Sequence, residues 1–102
     1  MIHVIATIEL HPGRRDAFLN EFRQLVPLVQ AEAGCIEYGA AIDLPTDIAA
    51  QPPARDNVVT VVEKWSDLDH LKQHLQAPHM QDYRGKVKDM VVGTTLAILD
   101  PA

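Results

Sequence analysis

The residues best suited to chemistry are gathered in one stretch, "EKWSDLDHLKQHLQAPHM", which runs from Glu63 to Met80 and holds Trp65, His70, His74 and His79. A histidine changes charge near neutral pH, so it can serve as a general base or as a hydrogen-bond partner for a substrate hydroxyl. His70 and His74 are four apart and fall on one flank of a helix, bordering an apolar stripe of Leu68, Leu71 and Leu75. Glu63 and Trp65 are two apart and point the same way along a strand. A carboxyl desolvated beside an indole has a raised pKa, which readies it to accept a proton or to orient a histidine. The plainer reading of that pair is a Trp anchoring the strand's end and a Glu paired with a cation. His79 follows Pro78 where the chain turns.

Other chemistries lack their patterns. A zincin helix needs Glu directly after its first His, whereas Leu71 follows His70, and Cys35 is remote in sequence, so no metal site is expected. Gly13, Gly34, Gly39, Gly85 and Gly93 stand isolated, which leaves neither a dinucleotide fingerprint nor a phosphate loop. Ser66 is the only serine and suits a helix N-cap better than a nucleophile elbow. Cys35, between Gly34 and Ile36, reads as a small buried side chain. The net charge is −5 and the basic residues are scattered apart from Arg14 and Arg15, which argues against nucleic acid. One cysteine and no basic leader segment point to a cytoplasmic location. No apolar run approaches the roughly 18–20 residues that span a bilayer, so no membrane segment is expected.

The elements that must position these residues follow from hydrophobic periodicity. The length of 102 residues and 47% hydrophobic content predict one globular domain over residues 1–102. "MIHVIATIEL" alternates, with Ile2, Val4, Ala6, Ile8 and Leu10 on one side and His3, Ile5, Thr7 and Glu9 on the other, a strand partly apolar on both faces. "HPG" breaks it, and Phe18, Phe22, Leu25 and Val29 then mark a helix from about Arg14 to Glu32. Pro27 predicts a kink or local loosening in that helix, and Gly34 its stop. "CIEYGAAIDL" and "NVVTVVEKW" read as strands, the second with Asn57, Val59, Val61, Glu63 and Trp65 on one face. Between them "LPTDIAAQPPARD" carries three prolines and reads as a lid, a binding loop or a mobile segment. Ser66 then caps a second helix, with Asp69 completing an imperfect capping box. Pro78 interrupts that helix, a further helical stretch carries Met80, Tyr83 and Val87, and "MVVGTTLAIL" closes the chain as a strand. The order β-α-β-β-α-β predicts an α+β fold, a four-stranded antiparallel sheet with its helices on one face. The other face is then bare, and a second copy of the chain is its simplest cover.

With these elements in place, "HPGRRDAFLNEFRQLVPLVQAEAGCIEY" and "VVTVVEKWSDLDHLKQHLQAPHM" resemble the antibiotic biosynthesis monooxygenase (ABM) family of small cofactor-free quinol and anthrone oxygenases. The resemblance runs from Ile2 to Leu99, and its most specific parts are "AGCIEY" and the spacing of Glu63, Trp65, His74 and His79. It implies a ferredoxin-like subunit whose sheet pairs with a second sheet in a dimeric α+β barrel. It also implies a pocket between sheet and helices for a small aromatic substrate and molecular oxygen, with no cofactor. Catalytic roles then fall to His74, Trp65 and Glu63, and substrate contacts to Tyr38, His79 and Tyr83. His74 would be the base, Trp65 and Tyr38 would orient the flat ring, Tyr38 and His79 would hydrogen-bond its oxygens, and Glu63 would fix a histidine tautomer. The alternatives are a non-catalytic aromatic-binding or stress-related dimeric module, a haem-binding or haem-degrading protein, and an isomerase-like relative. Against haem breakdown, the first strand lacks the Asn that haem-degrading relatives carry there. The connection from Leu44 to Asp56 is also longer than the family's short turn.

Overall fold

The computed structural model describes residues 1–102. Strand β1 (Ile2–Leu10) leads to helix α1 (Arg15–Gln30), then β2 (Cys35–Ala41), β3 (Val58–Trp65), α2 (Leu68–Gln76), α3 (Pro78–Val87) and β4 (Val91–Leu99). The strands form one sheet in the order β2-β3-β1-β4, with every neighbouring pair antiparallel. This is the expected ferredoxin-like α+β arrangement, with its second helical arm in two pieces.

The alternation read in β1 decides which face is buried. Val4, Ala6, Ile8 and Leu10 point toward the helices, joined by Val59, Val61, Glu63 and Trp65 from β3 and Tyr38 from β2. Helix α1 lays Phe18, Phe22, Leu25 and Val29 on that face, and α2 and α3 add Leu71, Met80 and Val87 to the same cluster. Each large side chain buried there stabilises the fold by about 1.5–3 kcal/mol before entropy is counted. The opposite face carries the row Gly39, Val62, Ile5 and Ala97, beside a second row of Ala41, Thr60, Thr7 and Thr95. No helix lies over those rows.

Local chemistry explains the departures from expectation. Asp67, not Ser66, caps α2: its backbone is extended (φ −161°, ψ 175°) and its carboxylate accepts the His70 amide hydrogen at 2.9 Å. An anion is favoured at the positive end of a helix. The Ser66 amide is already committed to the Gly34 carbonyl at 2.8 Å. Gly34 does not stop α1, which ends at Gln30 with Ala31 as its cap. Gly34 has φ +80° and lies where a β-carbon would overlap the His70 ring and the Ser66 hydroxyl, so close approach requires glycine there. Helix α1 continues through Pro27 without a break. At the other proline, Ala77 is extended (ψ 143°), because a residue before proline avoids the helical region, and Pro78 begins α3 at its first position.

Strand β2 ends at Ala41, short of the expected Leu44. The long connection that follows is clipped at its neck, where the Asp43 carboxylate accepts from the Arg55 side chain at 2.8 and 3.1 Å and from the Arg55 amide at 2.9 Å. That pairing holds the Asp43 carboxyl down to about 2. No helix is long and apolar enough to cross a membrane.

Candidate active site

A cavity of about 550 Å³ lies between the sheet and the helices. Its floor is the helix-facing side of the sheet: Ala6 and Ile8 from β1, Tyr38 from β2, Val61 and Glu63 from β3, Thr94 and Leu96 from β4. Phe22 of α1 and His74 and Leu75 of α2 form one wall. The other wall is a helical stripe, Met80, Tyr83, Arg84, Val87 and Lys88, whose steps of three and four put them on one side of α3 and its cap. Leu96 is 41% exposed although it shares the buried face of β1, so the cavity opens toward β4.

Two of the polar groups inside are held by neighbouring side chains. The Trp65 indole N–H donates to Glu63 Oε1 at 2.9 Å. Trp65 is fully buried, and its ring lies 4.6 Å from that of His74, centre to centre. His74 is 1% exposed, and its Nδ1 is hydrogen-bonded to Glu32 Oε2 at 2.8 Å. Tyr38 meets His74 edge-on at 5.5 Å and stacks on Phe22 at 5.4 Å. No buried side-chain nitrogen or oxygen lacks a partner. The second ring nitrogen of His74, the second oxygen of Glu63 and the Tyr38 hydroxyl make no hydrogen bond inside the chain, so their polar ends open on the cavity; the Tyr83 hydroxyl is likewise unpartnered, on a residue that lines this cavity and a smaller neighbouring one.

Burial sets their proton affinities. Desolvation pushes the Glu63 carboxyl up to about 7, against the pull of the Trp65 N–H and with help from the Glu32 charge. Glu63 is therefore divided between acid and carboxylate at neutral pH. Burial drives His74 below the ordinary histidine value, with the Glu32 hydrogen bond opposing it, so the ring is neutral and able to accept a proton. Burial raises Tyr38 and Tyr83 above the usual phenol range, and both remain neutral donors.

The structure thus brings Tyr38, Glu63, His74 and Tyr83 together. Trp65 stands behind the cavity, supporting His74 and Glu63 without facing the space itself. His79 also lies off the cavity, with Nε2 on Glu32 Oε2 at 2.9 Å. His70 faces away and binds Asp67 and Ser66. No residue of the long connection borders the cavity, so it forms no lid over its own chain's site. Three residues escaped the sequence reading: Glu32, hidden as an ordinary helix-end charge, and Arg84 and Lys88. The spacing of Met80, Tyr83, Arg84, Val87 and Lys88 was the signal available for the last two.

Fold and site together define a class: a ferredoxin-like subunit with an apolar cavity whose wall carries acid–base groups instead of a phosphate or metal cradle. The chain belongs to the antibiotic biosynthesis monooxygenase family, whose model matches residues 1–86. It is 39% identical over 103 residues to an Escherichia coli (strain K12) protein named "Probable quinol monooxygenase YgiN", covering 99% of this chain and 98% of that one. The crystal structure of PA3566 from Pseudomonas aeruginosa superposes with a TM-score of 0.81 at 25% identity, over 99% of this chain and 93% of that one. A conserved protein from Methanosarcina mazei Go1 shares the fold at a TM-score of 0.82 and 24% identity, over 99% and 92% of the two chains.

Proposed function

We propose that this monooxygenase is cofactor-independent and oxidises a quinol- or anthrone-like aromatic with molecular oxygen in the cavity between sheet and helices. The observation that carries the reading is His74, a buried, neutral imidazole with one nitrogen open to an apolar cavity of about 550 Å³, beside Tyr38 and Glu63. That volume suits a small aromatic ligand. The name of the Escherichia coli relative supports the same substrate class.

Ground-state oxygen is a triplet and does not react directly with a closed-shell organic molecule. An electron-rich anion overcomes this by giving it one electron first. His74 takes the proton from a substrate hydroxyl or from the acidic carbon of an anthrone. Arg84 and Lys88 at the wall favour the anion that results. The anion passes one electron to oxygen, and substrate radical and superoxide combine into a C–O bond. The His74 imidazolium returns its proton to the peroxide. The carbon bearing the hydroperoxide then loses its remaining hydrogen as a proton; that C–H electron pair forms a C=O bond as the O–O bond breaks, and the departing hydroxide takes the proton and leaves as water, so the substrate supplies all four electrons. Tyr38 and Tyr83, neutral and unpartnered, donate hydrogen bonds to the substrate oxygens. Trp65 acts through His74 and Glu63 rather than on the ring.

The outer sheet face, with Ile5, Val62 and Ala97 across its middle, supports a homodimer that closes the two sheets into a barrel. Sedimentation equilibrium should find a dimer in the native chain and a monomer in Val62→Lys. Oxygen uptake by metal-stripped protein on a panel of quinols and anthrones tests the reaction itself. Uptake above autoxidation that falls roughly 10²- to 10⁴-fold in His74→Ala is the expected result. Binding of a panel member with no uptake above background would make the chain a non-catalytic aromatic-binding module instead.

A further inference from the structure

Three elements meet at one oxygen atom. Glu32 lies in the turn after α1, its amide bonded to the Val29 carbonyl at 2.9 Å, and its Oε2 takes both His74 Nδ1 of α2 and His79 Nε2 of α3, at 2.8 and 2.9 Å. The carboxylate side chain is 15% exposed, His74 2% and His79 25%, so the chain of contacts runs from the cavity wall toward solvent. The break at Ala77 and Pro78 makes this meeting possible. Five residues along an unbroken helix lie roughly 140° apart around its axis, too far for His74 and His79 to reach one atom. With Ala77 extended, His79 falls in the first turn of α3 and turns back to the same carboxylate.

A carboxylate can only accept, so it selects the tautomer with hydrogen on Nδ1 and leaves the lone pair on the nitrogen that opens to the cavity. It also steadies the imidazolium that forms when that nitrogen takes a proton. We propose that Glu32 is the positioning residue of the His74 base, and that His79 clamps Glu32 in place from the solvent side. This rests on the reading of His74 as the base. The assignment moves the tautomer-fixing role from Glu63, whose hydrogen bond goes to Trp65, to a residue at the far end of α1. The other titratable or charged groups around the pair are Cys35 and Tyr38 from β2, Glu63 from β3, and Tyr83 and Arg84 from α3.

The first test needs no substrate. Nitrogen NMR of the imidazoles in the full chain should show His74 protonated at Nδ1 in the native protein, and a mixed or reversed tautomer in Glu32→Ala. A native His74 protonated at Nε2, or signals unchanged by the substitution, overturns the proposal. The second test is kinetic and uses Glu32→Gln, which keeps the side-chain volume. We expect kcat to fall roughly 10²-fold with KM within about twofold, since the lost interaction strengthens in the transition state. At the same time the acid limb of the profile should move to lower pH, because the carboxylate opposes the burial that depresses His74. A loss of activity with the limb unmoved is the mark of a merely structural residue and overturns the assignment. His79→Gln, which still offers an N–H to Glu32, should retain more kcat than His79→Leu, and equal losses would remove His79 from the clamp. If no panel substrate is oxidised, the monooxygenase reading fails, while the NMR result still decides the tautomer.

Discussion

Strands β3 and β4 flank β1 on its two sides, with similar apolar content and opposite surroundings. In β3 (VVTVVEKW) every second residue from Val59 to Trp65 is buried, whereas in β4 (VVGTTLAIL) all residues after Val91 are exposed. Glu63 and Ile98 share one row of the sheet, each opposite Val4. The carboxylate is buried and the isoleucine is 49% exposed. Burial here follows the helices and not the hydropathy of the strand. A polar group can be sunk beneath α2 because Trp65 supplies it with a hydrogen bond, and the apolar strand left uncovered becomes the rim of the cavity. The covered side buries the candidate acid–base groups, and on the uncovered side the cavity opens.

Substitutions on the two strands sharpen that contrast. Trp65→Ala empties the most enclosed position under α2 and removes the donor to Glu63, so it should cost about 3–5 kcal/mol in urea denaturation. A cost below 1 kcal/mol would mean that the corner is far looser than its geometry. Glu63→Gln comes next. A pKa of about 7 in the fold against 4.5 for the free side chain means that the folded state holds this proton more tightly. Below about pH 4.5 both states are protonated and burial carries no ionisation cost; that cost grows as pH rises toward 7 and is complete above it. The unfolding free energy of Glu63→Gln should therefore gain on the native protein by about 3 kcal/mol between pH 4 and pH 8. A pH-independent gap would place the ionised Glu63 in a wetter environment than its burial indicates.

Gly34→Ala, at the turn into β2, should cost roughly 1–3 kcal/mol from its positive φ and the overlap with His70. Because His70 lies off the cavity, kcat should hold while Tm falls. Ile98→Ala is expected to have the smallest effect, within about 0.5 kcal/mol, as for other exposed positions. A larger loss that grows with protein concentration would show that a second copy covers this side of β4 too, and the contrast between the strands would then belong to the isolated chain alone.

Much of this architecture was legible in the residues. The alternation of β1 and β3, the stripe of Phe18, Phe22, Leu25 and Val29, and the break at Pro78 each reflect a local rule of period or dihedral angle. Glu63 and His74 were singled out as well, Glu63 as one of two readings because strand alternation sets it beside Trp65, and His74 because helical spacing sets it next to the leucine stripe; the structure buries both. The identity of their partners was not legible. Asp67 holds the cap because α2 begins at Leu68 and the Asp67 carboxylate reaches the His70 amide, while Ser66 is drawn away, its amide to Gly34 and its hydroxyl to the His70 ring. Glu32 looks like any charge at a helix end until α2 and α3 bring two rings to it across 42 and 47 positions of sequence.

The sequence by itself determined the order of elements, the face each would bury and the residue types available for proton transfer, since these depend on periodicity and on side-chain chemistry alone. Only the tertiary structure decided that Trp65 supports the site instead of lining it, that His79 reaches it through Glu32, and that β4 stays open. Those outcomes depend on how helices dock on a sheet, and docking joins residues whose separation along the chain carries no local signal.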